Sequence, residues 1–138
     1  RLRAARALAR DARIRVTDLE RRMGTRYTIH TLQAIKAAFP ELRCAWLMGA
    51  DNLAQLPHWR RWREIFAETP VAVFDRPSYA ERALSGVVAR EFARFRAEPA
   101  EAAGLLYRRP PAWIFFRTPL DDTSATAIRA RRTRPGRQ

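Results

Sequence analysis

The chain has 138 residues, of which 47% are hydrophobic and 30% charged, so it is long enough for one globular domain with its own core. Its single cysteine, Cys44, excludes a disulfide or a cysteine-based metal site within the chain and fits a reducing compartment, and no apolar stretch is long enough to span a bilayer. The net charge of +13 comes from arginines spread along the chain, which favours a solvated surface, with a share for phosphate, over a nucleic-acid interface with clustered charge.

The first half of the chain predicts two helices and two strands. The Arg-rich opening from Arg1 fits a domain helix cut at its start better than a transit peptide, because it lacks serine and runs into a strand pattern. In chain order, the predicted elements are a helix over 2–9, a strand from Ile14 to Val16, a loop over Glu20–Arg26, a helix that Thr28 caps and Pro40 stops, and a strand over Cys44–Met48 buried on both faces.

The second half alternates helices with wholly apolar strands. Ser78 and Glu81 match the capping box S-x-x-E, and the helix they open carries apolar residues as far as Phe95. The other predicted elements are a helix over Trp59–Phe66, a strand over Val71–Phe74, a loop over Glu98–Pro111, a strand over Trp113–Phe116, a turn over 118–123 and a helix over Ser124–Arg131. We expect residues 1–131 to form one domain and residues 132–138 a basic disordered tail.

Strands that alternate with helices predict an α/β fold, with a parallel sheet and crossover helices. Ligands in such sheets bind beyond the carboxyl ends of the strands. The candidate ligand residues are therefore those that follow predicted strands: Asp18, Gly49 with Asp51, Asp75 with Arg76, and the turn before Ser124. Several polar clusters at one edge support a binding site better than any single cluster does.

The stretch over 47–62 joins the central strand to a helix through Gly49 and Asp51. Gly49 lets the backbone turn sharply or approach a ligand, and Asp51 can cap a helix or bind hydroxyl groups. Trp59 can stack on a flat heterocycle or lie in the core, where we expect Trp46 and Trp62. A buried strand followed by Gly-x-Asp and a helix is typical of a nucleotide pocket. The alternative is a purely structural strand–turn–helix.

Hydroxyl side chains gather at the start of the last predicted helix. Ser124 and Thr126 lie beside N–H groups that favour an anion, and Arg129, about one turn further along, can bind the same phosphate. The alternative is a helix cap with a surface arginine. His30 and His58 have no metal-ligand spacing with a cysteine or with each other. Neither G-x-S-x-G nor G-x-x-x-x-G-K-[ST] occurs.

Three motifs occur along the chain: G-T-R-Y-T-I-H-T-L (Gly24–Leu32), M-G-A-D-N-L-A-Q-L-P-H-W (Met48–Trp59) and S-A-T-A-I-R (Ser124–Arg129). In order and spacing they resemble the bacterial nicotinate-nucleotide adenylyltransferases, and the resemblance extends from the first helix to Arg131. It implies a Rossmann-like nucleotidyltransferase with helices on both faces of a parallel sheet. Such a cytoplasmic enzyme of NAD biosynthesis transfers AMP from ATP to nicotinate mononucleotide, with Mg²⁺, and releases deamido-NAD and pyrophosphate.

The resemblance also implies which residues bind ATP. Gly49 and Asp51 would contact the adenosine, while Ser124, Thr126 and Arg129 would hold the phosphates. No covalent intermediate is expected, because the 5′-phosphate of the mononucleotide attacks the α-phosphorus of ATP in line. Catalysis is then positioning and neutralisation of developing charge.

On the nicotinate side, the resemblance implies Tyr27, Thr28 and Trp59. Trp59 would stack on the ring, and nearby backbone N–H groups would receive its carboxylate. ATP and nicotinate mononucleotide are the implied partners, with no nucleic acid and no membrane, and a homo-oligomer is left open.

The chain departs from the family pattern in two places. The family usually has Asp where this chain has His30, and histidine suits the first turn of a helix less well. The family's N-terminal signature, G-x-F-x-P-x-H followed by H-x-G-H, does not occur in these residues. Since its histidines bind the ATP phosphates, we assign no catalytic residue. We expect this chain, as an enzyme without its first strand and catalytic loop, to be nearly inactive alone.

Two other functions stay open. A related nucleotidyltransferase could use nicotinamide mononucleotide or phosphopantetheine, although the elements Y-T-x-x-T-L and P-x-W favour the nicotinate enzyme. A basic RNA-binding protein is the alternative from another class. It would require steeply salt-dependent affinity for RNA, and no RNA motif that combines aromatic and basic residues is visible.

Overall fold

The computed structural model describes residues 2–117. The strands are β1 (Trp46–Gly49), β2 (Val71–Phe74), β3 (Arg96–Ala97) and β4 (Trp113–Phe116). The α-helices are α1 (Leu2–Leu8), α2 (Leu19–Arg22), α3 (Thr28–Ala38), α4 (Ala50–Gln55), α5 (Trp62–Glu68), α6 (Ala80–Leu84) and α7 (Val87–Glu91). Three 3₁₀ helices span Leu56–His58, Ala93–Phe95 and Pro99–Tyr107. The predicted turn over 118–123, the last helix and the tail lie outside the described residues. Within 2–117, no helix has the length and apolar character needed to cross a bilayer.

The four strands form one parallel sheet in the order β1-β2-β4-β3, which confirms the predicted α/β architecture. Met48, Val73 and Phe115 lie at the same level across β1, β2 and β4. The bounds of β2 and β4 match the prediction because most of their side chains are buried on both faces of the sheet. Such burial gives uninterrupted apolar runs in the sequence.

One face of the sheet carries the main core, to which α3 through α7 all contribute buried residues. Phe66 of α5 stacks on Phe92, with ring centroids 4.5 Å apart, and meets Trp113 of β4 edge-on at 6.3 Å. The indole N–H of Trp113 donates a hydrogen bond of 2.9 Å to the carbonyl of Phe92. The largest fully buried side chain therefore also has its polar group satisfied.

The other face of the sheet has a smaller core. Ala72 and Ile114 pack there with Ala97 and with Leu105, which belongs to the 3₁₀ helix Pro99–Tyr107. The sheet thus has helical cover on both faces, with the α-helical layer on the face of the main core.

The strand predicted over Cys44–Met48 corresponds to β1 and differs from its prediction. It begins at Trp46 rather than Cys44, and it is not buried on both faces: Met48 is buried, whereas Leu47 is 62% exposed. Within the described residues, β1 pairs with β2 alone and so lies at an edge of the sheet. The smaller core includes no residue of β1 itself, and Leu47 is left uncovered.

The strand predicted from Ile14 to Val16 is wrong. These residues pair with no strand of the described sheet, and Ile14 is 59% exposed. Alternation of apolar and charged residues predicts a strand only where another strand can satisfy the backbone groups. The predicted loop over Glu20–Arg26 is also partly wrong, because the N–H of Arg22 donates to the carbonyl of Asp18 at 3.1 Å and starts the one-turn helix α2.

The backbone interrupts two predicted helices. The helix over Trp59–Phe66 begins only at Trp62, because Arg61 lies in the left-handed region with φ 51°. Ser78 also has a positive φ, 67°, and the capping box predicted there is absent from the described hydrogen bonds; α6 begins at Ala80.

The long helix predicted beyond Ser78 divides at Gly86, between α6 and α7. A Cβ at Gly86 would lie 3.1 Å from the carbonyl oxygen of Arg82, so the chain turns there with backbone close to backbone. Part of the loop predicted over Glu98–Pro111 is the 3₁₀ helix Pro99–Tyr107. A capping box opens it, in which the N–H of Glu98 donates to the carboxylate of Glu101 at 2.9 Å.

Candidate active site at the carboxyl edge of the sheet

The carboxyl ends of β1 and β2 bring three predicted ligand residues together. Gly49 ends β1 opposite Phe74 of β2, and Asp75 and Arg76 follow Phe74 directly. The N–H of Asp75 donates to the carbonyl of Phe116 at 2.9 Å and so extends the pairing beyond β2. This edge is where open α/β sheets bind their ligands.

Gly49 is required by a close approach rather than by an unusual φ, which is −82°. A Cβ at this position would lie 2.3 Å from Asp51 Oδ1 and 3.0 Å from Arg76 Nε. The side chains of Asp51 and Arg76 therefore occupy the space that any other residue at 49 would need. The sequence left open whether Gly49 turns sharply or lets the backbone approach a ligand; the structure shows a close approach toward these two side chains.

Asp51 presents an acceptor that nothing in residues 2–117 satisfies. Its Oδ1 is buried and has no hydrogen-bond partner. The nearest cation is the guanidinium of Arg76, whose Nε lies 3.8 Å away, beyond hydrogen-bond distance. A buried oxygen without a donor costs free energy. Because the side chain as a whole is 35% exposed, the carboxylate can accept from a ligand that brings an N–H or O–H group.

Arg76 adds a positive charge to the same edge. Its side chain is 60% exposed, and its backbone N–H donates to the Asp75 carboxylate at 2.7 Å. An exposed guanidinium beside an unsatisfied carboxylate can bind phosphate while the carboxylate accepts from a hydroxyl. Arg76 was predicted at a strand end, but the resemblance gave it no role.

A second group of predicted residues gathers at the start of α3. Tyr27 precedes the helix, Thr28 is its first residue, and no side chain caps its free N–H groups. The predicted cap by Thr28 is therefore wrong, since the N-cap position belongs to Tyr27.

Tyr27 also brings the Trp59 segment to the start of α3. The guanidinium of Arg60 lies 5.2 Å from the centre of the Tyr27 ring, and that of Arg26 lies 5.9 Å from it. Tyr27 itself is 38% exposed. Since Arg60 follows Trp59 directly, the two segments predicted to line the nicotinate side are close in space, with two arginines beside them. Neither Arg26 nor Arg60 was predicted at the site, although Arg26 lies within the motif Gly24–Leu32 and Arg60 directly follows the motif Met48–Trp59.

The three tryptophans Trp46, Trp59 and Trp62 differ in how far they are buried. Trp62 is 7% exposed and belongs to the main core, as predicted. Trp46 and Trp59 are partly buried and pack against that core. Trp59 follows the 3₁₀ helix Leu56–His58 in an extended conformation, with φ −85° and ψ 147°. It is thus neither a fully buried core residue nor a free surface side chain.

The remaining predicted residues do not join these groups. Asp18 follows no strand; its carboxylate pairs with Arg21, which holds the pKa of Asp18 below its ordinary value. Ser124, Thr126 and Arg129 lie outside the described residues. Within 2–117, no three His, Cys, Asp or Glu side chains are grouped so that they could hold a metal ion.

The fold and this edge define a nucleotide-binding α/β domain, and comparison with known proteins agrees. The chain belongs to the cytidylyltransferase-like family, whose model matches residues 1–131.

Three similar proteins carry the name probable nicotinate-nucleotide adenylyltransferase. The protein of that name from Cereibacter sphaeroides (strain ATCC 17025) is 49% identical over 94% of this chain and 69% of its own length. Its counterpart from Parvibaculum lavamentivorans is 46% identical over 95% of the chain and 65% of its own length. The protein from Gluconobacter oxydans is 44% identical over 94% of the chain and 66% of its own length. The chain thus spans about two thirds of the length of these relatives.

Proposed function

We propose that this chain takes part in adenylyl transfer from ATP to nicotinate mononucleotide. A 5′-phosphate oxygen of the mononucleotide bonds to the α-phosphorus of ATP, the bond from that phosphorus to the β-phosphate bridge breaks, and pyrophosphate leaves with the displaced electron pair. The products are deamido-NAD and pyrophosphate. The names of the relatives support this reaction, and the observation that carries it is the unsatisfied Asp51 carboxylate beside Gly49 and Arg76.

The adenosine of ATP binds at the carboxyl edge of β1 in this proposal. The carboxylate of Asp51, whose side chain is 35% exposed, accepts a hydrogen bond from the nucleoside, and Gly49 leaves the space that this side chain needs. Ser124, Thr126 and Arg129 hold the phosphates, as the resemblance implies. Arg76 is exposed at the same edge and adds positive charge where negative charge develops.

Nicotinate mononucleotide binds at the start of α3. The uncapped N–H groups there are donors for the nicotinate carboxylate, and Thr28 lies at the first position of the helix. Trp59 stacks on the pyridine ring. Arg26 and Arg60 beside Tyr27 raise the local positive potential and so favour the acidic mononucleotide over the amide.

Mg²⁺ accompanies ATP in this proposal, and the enzyme works in the cytoplasm. Because residues 2–117 offer no group of three metal-ligating side chains, the phosphates and water supply most of the oxygen ligands. This is the usual way in which Mg²⁺ is held at nucleotide sites. When bound, the ion neutralises charge on the phosphates, and the chain's own residues position the two substrates.

Because the chain is expected to be nearly inactive alone, kinetic measurements use a version extended upstream. The proposal is tested in that version by measuring pyrophosphate release from ATP with three acceptors: nicotinate mononucleotide, nicotinamide mononucleotide and phosphopantetheine. We expect the acid mononucleotide to give the highest kcat/KM, because its carboxylate meets donors at the start of α3. A higher value with the amide or with phosphopantetheine would assign the chain to a different nucleotidyltransferase. A gel-shift assay with RNA, in parallel, should show no salt-sensitive complex of comparable affinity.

A further inference from the structure

A cavity lies at the amino-terminal edge of the sheet and has a volume of about 350 Å³. Its lining includes Cys44, which precedes β1, and Pro70, which precedes β2. Parallel strands place their amino ends together, so this cavity lies at the edge of the sheet opposite Gly49 and Asp51. Its volume is in the range of about 300–1,000 Å³ that small-molecule sites occupy.

The walls of the cavity are largely aliphatic. Leu32 and Ile35 of α3 form one side, and Leu42 and Leu106 form part of another. Leu42 is 58% exposed and Leu106 is 44% exposed, so the cavity leaves apolar surface in contact with water. None of the lining side chains is aromatic. The walls therefore favour an aliphatic ligand over a flat heterocycle.

The lining of the cavity has more positively charged than negatively charged side chains. Lys36 pairs with Glu68 through an Nζ to Oε2 distance of 3.1 Å, and Arg108 pairs with Glu101. These two cations are therefore already compensated by carboxylates.

Two further cations line the cavity, Arg43 and Arg109. Neither has an acidic partner within residues 2–117. The guanidinium of Arg43 lies 4.6 Å from the centre of the Tyr107 ring, which holds it in place without neutralising it. An anion between these two arginines would receive charge-assisted hydrogen bonds.

We propose that this cavity binds a small aliphatic anion, with its chain against Leu32, Ile35 and Leu42 and its anionic group at Arg43 and Arg109. Binding of the anion in this cavity does not compete with nucleotide binding, because the two sites lie at opposite edges of the sheet. Carboxylates and phosphate monoesters with short alkyl chains share the required chemistry.

Cys44 provides a reporter, because its half-buried free thiol lines the cavity. The probes are octanoate and octyl phosphate, with octanamide as the neutral match of the same chain length. The rate of Cys44 alkylation by iodoacetamide is followed by peptide mass spectrometry at increasing probe concentration. We expect protection by both anions, with octanoate about tenfold tighter than octanamide because only the anion forms charge-assisted bonds. The stronger of the two anions indicates whether a carboxylate or a phosphate is preferred.

Substitutions then separate charge from apolar contact. Arg43→Gln and Arg109→Gln should each weaken octanoate protection, whereas Arg90→Gln removes the same charge from an exposed position on α7 and should leave it unchanged. Equal protection by octanamide and octanoate would overturn the proposal, as would the absence of protection by every probe. Loss of octanoate protection in the Arg76→Gln protein would also overturn it, since that result would place the anion at the nucleotide site. The comparison of the probes on the wild-type protein does not depend on any variant, so it holds even if one of the variants folds poorly.

Discussion

The carboxyl edge of the sheet and its centre satisfy their polar groups differently. At the centre, Trp113 is 1% exposed and its indole N–H is bonded to Phe92. At the edge, Asp51 Oδ1 is buried without a donor, and a Cβ at Gly49 would meet it at 2.3 Å. The centre follows the rule that buried polar groups are paired, while the edge departs from it. The indole N–H of Trp46, at the amino end of β1, is also buried without a partner. It is therefore the position of Asp51 beside Gly49 and Arg76, together with its unpaired oxygen, that favours the carboxyl edge for a ligand.

The largest expected effect lies in the main core, which packs against the centre of the sheet. Phe66→Ala removes a fully buried ring stacked on Phe92 and should lower the free energy of unfolding by about 3–5 kcal/mol. Chemical denaturation measures this loss. Phe39→Ala, at a 50% exposed position, should cost much less. ATP affinity of the folded Phe66→Ala protein at low temperature should stay near that of the wild type; a large loss there would remove the distinction between centre and edge.

The next effect lies at the edge. Gly49→Ala places a methyl group against Asp51 and Arg76 and should lower kcat/KM for ATP by about 10²-fold, the cost of displacing a positioning group by about 1 Å. Gly104→Ala is the matched control, because a Cβ there meets nothing within 4 Å. Steady-state kinetics on both variants make the comparison. If Gly49→Ala is as active as Gly104→Ala, the close approach at Gly49 has no part in binding.

Trp59→Ala sharpens the comparison on the nicotinate side. If Trp59 stacks on the ring, KM for the mononucleotide should rise by the equivalent of about 0.5–1.5 kcal/mol, with a smaller change for ATP. Trp62→Ala serves as the contrast, since Trp62 lies in the main core and its loss should lower the melting temperature. A fall in melting temperature for Trp59→Ala, with equal loss for both substrates, would make Trp59 a core residue.

The smallest effect concerns the exposed ion pair Lys36–Glu68. The hydrogen bond from Lys36 holds the pKa of Glu68 below its ordinary value of 4.5. A lowered carboxylate pKa stabilises the fold above the unfolded-state pKa, and this contribution disappears as pH falls through the folded-state pKa. Lys36→Met should therefore destabilise by less than about 1 kcal/mol at neutral pH. In denaturation at several pH values, the difference from wild type should shrink below pH 4.5; a constant difference would assign it to lost side-chain packing.

The sequence predicted the elements whose burial leaves a continuous apolar pattern. β2 and β4 were placed with their observed bounds for that reason. β3 was missed because it has only two residues, one of them the exposed Arg96. The division of the long helix at Gly86 was missed because an isolated glycine within a helical pattern is often tolerated.

The candidate site was predictable where its residues directly follow strands. Gly49 and Asp51 were expected together, and Arg76 was placed at the same edge. The approach of Arg60 to Tyr27 was not predictable, because it depends on how the chain turns at Arg61, in the left-handed region, between the 3₁₀ helix and α5. Local pattern does not determine such a turn, since tertiary packing holds it in place.

The most direct test of the account is the affinity of the Asp51→Ala protein for ATP, measured by isothermal titration calorimetry beside thermal unfolding of the same variant. Because Asp51 Oδ1 has no protein donor in the described structure, its removal should leave the melting temperature unchanged or raised. ATP should bind more weakly by about tenfold to a hundredfold, the worth of a hydrogen bond to a charged acceptor. Unchanged ATP affinity, or weaker binding accompanied by a matching loss of stability, would contradict the account.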